Sequence, residues 1–368
     1  MIEGLPKAKK AYYEHYNKIQ DYKLIKELYE SEDGWSISFM CEQLEISRSA
    51  YYKWLHSTPS QKQLEDERIV EKIKEIAESN NSLFGAMNMY YVLKNQYGFS
   101  CGHNRVYRLM CINNIKSVYR KKSKSTYVES TPEETAENIL NRDFNADKPN
   151  EKWCTDVTEI KVPGTDEKLY ISPIIDLYDN YPIALEVSLR NDATLANNTL
   201  EAAHNKYPDA NPLLHSDRGS SYTRTVYKNI LESYGMIHSM SRVGRCIDNG
   251  PCESFQGRFK DILSILYPNI RSVEEMKSAI EGTLDYYINH YPQKRFNGKT
   301  CGQIREEALK TNNPVAYPIK QANRYVKYWK RIKEKQQRFI IKIQEETIQN
   351  YCQHNSRPWQ GSLRLNRN

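Results

Sequence analysis

The 368-residue sequence predicts an α/β core, a mixed five-stranded sheet flanked by helices. All-α helix-turn-helix-like modules precede this core, and a C-terminal helix follows it. Three observations carry the prediction. Up to residue 113, apolar residues recur at helical spacing, with breaks at Asp33-Gly34, Pro59-Ser60 and Gly98-Phe99-Ser100. From Ser123 to Asn150 the composition shifts to Ser, Thr, Glu, Asn and Pro. Beyond Trp153, three short strand-like runs lie close together, and strand and helix patterns then alternate. The boundaries that follow are a helical region over 1–60, a second over 61–125, a linker over 126–149, the core over 150–310, and a basic helix and tail over 311–368.

Taken in order, Leu24, Ile25 and Leu28 mark a first helix. A short helix at 37–44, a turn at Glu45-Ile46 and a helix opening on Ser47-Arg48-Ser49 follow, with Ser47 as the expected N-cap. That shape fits a helix-turn-helix exposing Arg48, Ser49 and Lys53 to DNA, and equally a plain helical hairpin. A charged helix over 63–79 carries Ile69, Val70, Ile73, Ile76 and Ala77 as its apolar stripe. A helical pair over 87–97 and 103–113 comes next, with Arg105 and Arg108 on its second member as candidates for DNA-backbone contact. Lys116, Arg120, Lys121, Lys122 and Lys124 form a basic run that suits either phosphate binding or a solvated linker. A short helix is expected over 133–140.

In the core, strands are expected at 154–162, 169–176 and 183–188, joined by short turns as an antiparallel meander. A helix over 193–207, a strand at 212–215, a helix over 223–234 and a strand at 236–240 then add parallel members to the sheet. A helix follows Asp248-Asn249-Gly250-Pro251, with Asp248 or Asn249 as its cap and Pro251 in its first turn. Further helices are expected over 273–291 and over 323–350. The latter carries Tyr325, Trp329, Ile332, Phe339 and Ile343 in an incomplete heptad that fits self-association, and the tail from 356 reads as disordered.

The net charge of +7, from 53 basic and 46 acidic residues, fits a nucleic-acid partner. Eight cysteines without a C-x-x-C pair suggest neither a zinc site nor a disulfide framework, and point to a reducing, cytoplasmic setting. No apolar run approaches the ~18 residues of a membrane span, and the N-terminus carries no signal-peptide pattern.

Three acids stand out: Asp156 in the first core strand, Asp217 just past a strand end, and Glu253 in the opening turn of a helix, where negative charge is favoured. Hard divalent cations take carboxylate oxygens, and two of them about 3.5–4 Å apart serve in-line displacement at phosphorus. Gly219 is expected to let the chain turn sharply beside Asp217. A Ser/His/Asp hydrolase built from His215-Ser216-Asp217 fails, because adjacent residues at a strand end face opposite ways and no nucleophile elbow surrounds Ser216.

The words around these acids resemble the insertion-sequence transposases with a retroviral-integrase-like core, specifically the insertion sequence three (IS3) family. They are Trp153-x-Thr155-Asp156-x-Thr158, Ile175-Asp176-Leu177-Tyr178, His215-Ser216-Asp217-x-Gly219-x-x-Tyr222, Ser239-Met240-Ser241-Arg242-x-Gly244 and Asp248-Asn249-x-x-x-Glu253-Ser254-Phe255. Lys260 stands seven positions past Glu253, where that family carries a basic residue. The likeness covers residues 20 to 310 and departs from the family pattern at Gly85-Ala86-Met87-Asn88 and at 297–301.

The resemblance implies a ribonuclease H-like fold and a DDE polynucleotidyl transferase that cleaves and transfers DNA strands. Asp156, Asp217 and Glu253 would be its catalytic and metal-binding triad for two Mg²⁺ ions, with Mn²⁺ as substitute. It implies an OrfB-type chain with an OrfA-type partner or fusion, acting as a homo-oligomer on insertion-sequence ends and target DNA. Lys260, Arg242, Arg245 and Arg258 are the core candidates for DNA contact, with Lys260 equally readable as a surface lysine. Two alternatives are a metal-dependent nuclease without strand transfer and a non-catalytic DNA-binding regulator.

Overall fold

The computed structural model describes residues 7–30, 35–118, 136–242, 246–319 and 331. The expected basic helix over 323–350, the tail, Arg120–Lys124 and Arg245 lie outside these residues, apart from residue 331.

Helices α1 (Lys7–Glu30), α2 (Ile37–Gln43) and α3 (Arg48–Leu55) close around Ile25, Met40, Cys41 and Tyr51. Ser36 starts α2 by accepting from the Phe39 N–H. Ser47 occupies the cap position of α3 as expected, but its hydroxyl pairs with that of Ser49 at 2.8 Å instead of with the helix backbone. Helices α4 (Gln61–Ser79), α5 (Ala86–Asn95) and α6 (His103–Ile112) form a second unit around Ile73, Met89, Leu93 and Val106. A reciprocal capping box between Ser60 and Gln63 opens α4. Two side-chain bonds tie this unit to the core, from Asn81 to the Ile265 carbonyl and from Asn95 to the Asn297 carbonyl.

The core contains strands β1 (Lys152–Thr155), β2 (Thr158–Lys161), β3 (Lys168–Asp176), β4 (Pro182–Ser188), β5 (Leu213–Ser216) and β6 (Ile237–Met240). Helices α7 (Ala193–Lys206) and α8 (Thr225–Ser233) lie among them, and α9 (Gly250–Leu266), α10 (Val273–Asn289) and α11 (Cys301–Leu309) follow. β3 pairs antiparallel with β4, β1 and β2, whereas β5 joins β1 and β6 joins β5 in parallel. β1 and β2 meet β3 in one continuous register, so the six segments make the expected five-stranded mixed sheet. Side chains alternate across it. Cys154 and Ile175 pack with Phe255, Phe259 and Ile280 on the α9–α10 face. Trp153 and Ile174 pack with Leu200, Tyr227 and Leu231 on the α7–α8 face.

Two departures matter. The strand expected over 154–162 breaks at Asp156-Val157, so Asp156 is not in mid-strand. The register places Pro173 opposite Asp156, and proline has no N–H to give a ladder. The described part of the expected 133–140 helix is not helical. Residues 136–140 instead cover the edge strand β6, with the Met240 N–H bonded to the Glu137 carbonyl and the Leu140 N–H to the Ser239 hydroxyl. A sheet edge exposes unpaired backbone groups, which such a segment satisfies.

At the far end of β3, the buried Asp176 and Asp179 share the buried Arg305 of α11, with contacts of 2.8 and 3.0 Å from its Nη2. The backbone N–H groups of Asn150 and Tyr178 complete Asp176. Among the described residues no helix is long and apolar enough to cross a membrane.

Candidate active site

The three acids come from three elements of one neighbourhood: the β1–β2 break (Asp156), the loop after β5 (Asp217) and the first turn of α9 (Glu253). Asp156 and Asp217 are half-buried and Glu253 is exposed. The Asp156 carboxyl is pushed up to about 8, first by burial and then by the negative charges of Asp217 and Glu253. Glu253 is also raised, by burial and by Asp217, and burial raises Asp217 itself. The acids therefore sense one another. They do not form a closed cage, for among the described residues no group of three Asp, Glu, His or Cys side chains is arranged to hold a metal ion.

Backbone contacts organise the neighbourhood. Breaking the strand frees the carbonyls of Thr155 and Asp156, and the helix bearing Glu253 supplies donors to both. Asn249 Nδ2 donates to the Thr155 carbonyl at 3.0 Å, and Gln256 Nε2 donates to the Asp156 carbonyl at 3.1 Å. Asn249 does stand at the N-cap of α9, with Pro251 in the first turn, but its side chain makes no cap bond because it serves β1. Asp217 accepts from the Gly219 N–H at 2.8 Å. Gly219 does not have a left-handed φ. Its requirement is steric, since an added Cβ would come within 3.0 Å of Asp217 Oδ1.

His215 is buried and held down at about 4, hence neutral, by that burial. Its two ring nitrogens meet the hydroxyls of Ser239 at 2.9 Å and Ser241 at 3.1 Å. The ring joins β5 to β6 and is given no part in a hydrolytic triad.

The expected DNA-contact residues scatter. Lys260 lies on the Glu253 face of α9, since seven residues return to within about 20°, and its ammonium meets the Thr158 hydroxyl just beyond the break. Arg258 is about 140° round the helix; its guanidinium bonds the Tyr287 hydroxyl and lies 5.9 Å from the Tyr291 ring centre. It is not brought to the acids. Arg242 forks onto Asp248 at 2.8 and 2.9 Å. Arg105 and Arg108 tie α6 to α4 through Asp66, with contacts of 2.7 and 3.0 Å, and Arg105 also meets Glu65. Both arginines thus have internal carboxylate partners. Arg48 meets the Ser38 hydroxyl, and Lys53 is exposed.

Sequence reasoning missed Gln256, Arg142 and the hydrogen-bonding role of Asn249. Gln256 offered one signal, a polar residue three positions after Glu253 on a face that is otherwise apolar.

Residues 146–246 match the integrase core domain family and residues 63–123 an HTH-like domain family. The chain is a polynucleotidyl transferase of the transposase and integrase type. It is 34% identical to the InsK transposase of insertion sequence element IS150 from Escherichia coli, over 77% of this chain and 98% of that protein. A transposase-like protein of Haemophilus influenzae is 35% identical over 60% of this chain and 94% of its own length. The catalytic core of HTLV-2 integrase, solved with magnesium, is 20% identical with a TM-score of 0.34, covering 43% of this chain and 97% of that one. The chain belongs to the insertion-sequence transposases.

Proposed function

We propose that Asp156, Asp217 and Glu253 are the catalytic residues of DNA strand cleavage and transfer, and that together they hold two Mg²⁺ ions, replaceable by Mn²⁺. The supporting observation is that the charges of Asp217 and Glu253 both bear on the half-buried Asp156. A set of three carboxylate donors suits a hard divalent cation. The open arrangement suits one that binds with substrate phosphate and water, as Mg²⁺ does. Bound there, the ions supply charge stabilisation to the attacking and leaving oxygens of a displacement at phosphorus.

The reaction needs no covalent link to the protein. Water attacks a phosphodiester at the element's end and releases a 3′-hydroxyl. That hydroxyl attacks a phosphodiester of the target, forming one ester as another breaks. Gln256 and Asn249 keep the Asp156 backbone in register with α9, and Lys260 on the same helix face is placed to meet substrate phosphate. The two helical units, through Arg48 and Lys53 in the first and the HTH-like domain in the second, hold the DNA. Assembly as a homo-oligomer on the two element ends, with an OrfA-type partner or fusion supplying end recognition, completes the reading.

The test incubates the full chain with end-labelled DNA bearing the element's termini, a target plasmid and Mg²⁺. Labelled DNA joined to the plasmid is expected. Cleaved but unjoined label would favour a nuclease, and retention without any cleavage would favour a regulator.

A further inference from the structure

We propose that Asp248 and Asn249, immediately before α9, are positioning residues that hold the three acids in a common frame. This rests on the reading of those acids as cation ligands. Asp248 is fully buried, yet its carboxylate accepts from three residues on two separate stretches of chain. Oδ2 accepts from Asn138 Nδ2 at 3.0 Å, from the Arg242 backbone N–H at 3.1 Å and from Arg242 Nε at 2.8 Å. Oδ1 accepts from Arg242 Nη2 at 2.9 Å and from Arg142 Nε. Two guanidiniums and an amide thus converge on one side chain. Charge-assisted bonds of this kind are the strongest available without a metal.

From these two residues one connection runs towards each acid. Arg242 leaves β6, the strand beside β5, and β5 ends at Asp217. The His215 ring, two residues before Asp217, meets the hydroxyl of Ser241 at 3.1 Å, next to Arg242 in the chain. Asn138 and Arg142 belong to the segment that covers β6. Asn249 reaches the other way, to the carbonyl of Thr155 next to Asp156. Glu253 follows one helical turn later. Two adjacent residues therefore connect the β5–β6 end, the β1 break and the start of α9. A shift of α9 along its axis would move Glu253 relative to both aspartates, and these bonds oppose it. The carboxylate also lies beside the N-terminal end of α9, where negative charge is favoured.

The test measures Mn²⁺ binding by full-length protein, using the paramagnetic signal of free Mn²⁺, for the parent, Asp248→Asn, Asn249→Ala and Asp217→Asn. Groups that orient metal ligands change affinity by roughly 10–100-fold when altered, and a loss in that range is expected for Asp248→Asn and for Asn249→Ala. Strand cleavage by both variants should return when Mn²⁺ is raised by the same factor, which a purely structural defect would not allow. If Asp248→Asn does not fold, Asn249→Ala, which removes a single hydrogen bond to Thr155, carries the test. Folded variants that bind Mn²⁺ as the parent does would overturn the proposal, as would a loss of cleavage that no Mn²⁺ concentration restores. Binding that Asp217→Asn leaves unchanged would instead remove the ligand reading, and this proposal with it.

Discussion

Asp156→Asn is expected to lower strand cleavage and strand transfer by about a thousandfold or more while raising the thermal stability of the metal-free protein. The first effect follows from the several kcal/mol of transition-state charge stabilisation that bound divalent ions supply. The second follows from the site's own electrostatics. Burial and the charges of Asp217 and Glu253 push the Asp156 carboxyl up to about 8. A carboxyl raised above its unfolded value disfavours the folded state once it must ionise. The parent should therefore lose stability in chelator as pH rises from about 4 towards 8, the interval between its ordinary and raised values. Asparagine has no proton to lose and should show a smaller fall, the part due to Asp217 and Glu253 alone. Adding Mg²⁺ should stabilise the parent by mass action and leave the variant nearly unmoved. Melting curves across pH, with and without Mg²⁺, check all of this. A variant that retains full activity, or melts lower than the parent in chelator at pH 8, contradicts the assignment.

Arg305→Met is expected to destabilise the core without touching the acids. Arg305 is 4% exposed and serves two fully buried carboxylates, Asp176 and Asp179. Removing one partner of a buried ion pair costs about 3–5 kcal/mol, because the remaining charge is left uncompensated. In a core of this size that lowers the melting temperature by on the order of 10 °C. Arg295, which bonds the Leu177 carbonyl and the Asn180 side chain nearby, cannot replace the lost fork. Arg305→Lys keeps the charge but not the planar donors and should fall between the two. Calorimetry of the three proteins checks the order, and a Met variant melting with the parent would show that the pair contributes little.

The legible parts were those with a period. Helices α4 to α8 and α10 fall within a few residues of their expected ranges because an apolar face against a core repeats along each of them, and α9 opens where expected. The mixed strand directions were also legible, since close-set strands suggest an antiparallel meander and strand and helix alternation implies parallel additions. Three features were hidden because they depend on groups distant in sequence. The break at Asp156 is set by Pro173 on the neighbouring strand, and only the register brings the two together. The destination of the Asn249 side chain depends on that break. Arg105, Arg108, Arg242 and Arg258 read as free cations from sequence because a positive charge carries no mark of its partner. In the fold Asp66, Glu65, Asp248 and the Tyr287–Tyr291 pair engage them. The linker expected at 126–149 carried few apolar residues, yet Leu140 and Ala146 are both buried, which composition averages conceal.

Mn²⁺ soaked into crystals of the full chain, located by its anomalous scattering, tests the central claim most directly. Peaks between Asp156 and Asp217, one of them within reach of Glu253, are predicted, with the Glu253 side chain drawn inward. Crystals that take up Mn²⁺ elsewhere and leave these three carboxylates without a peak would contradict it.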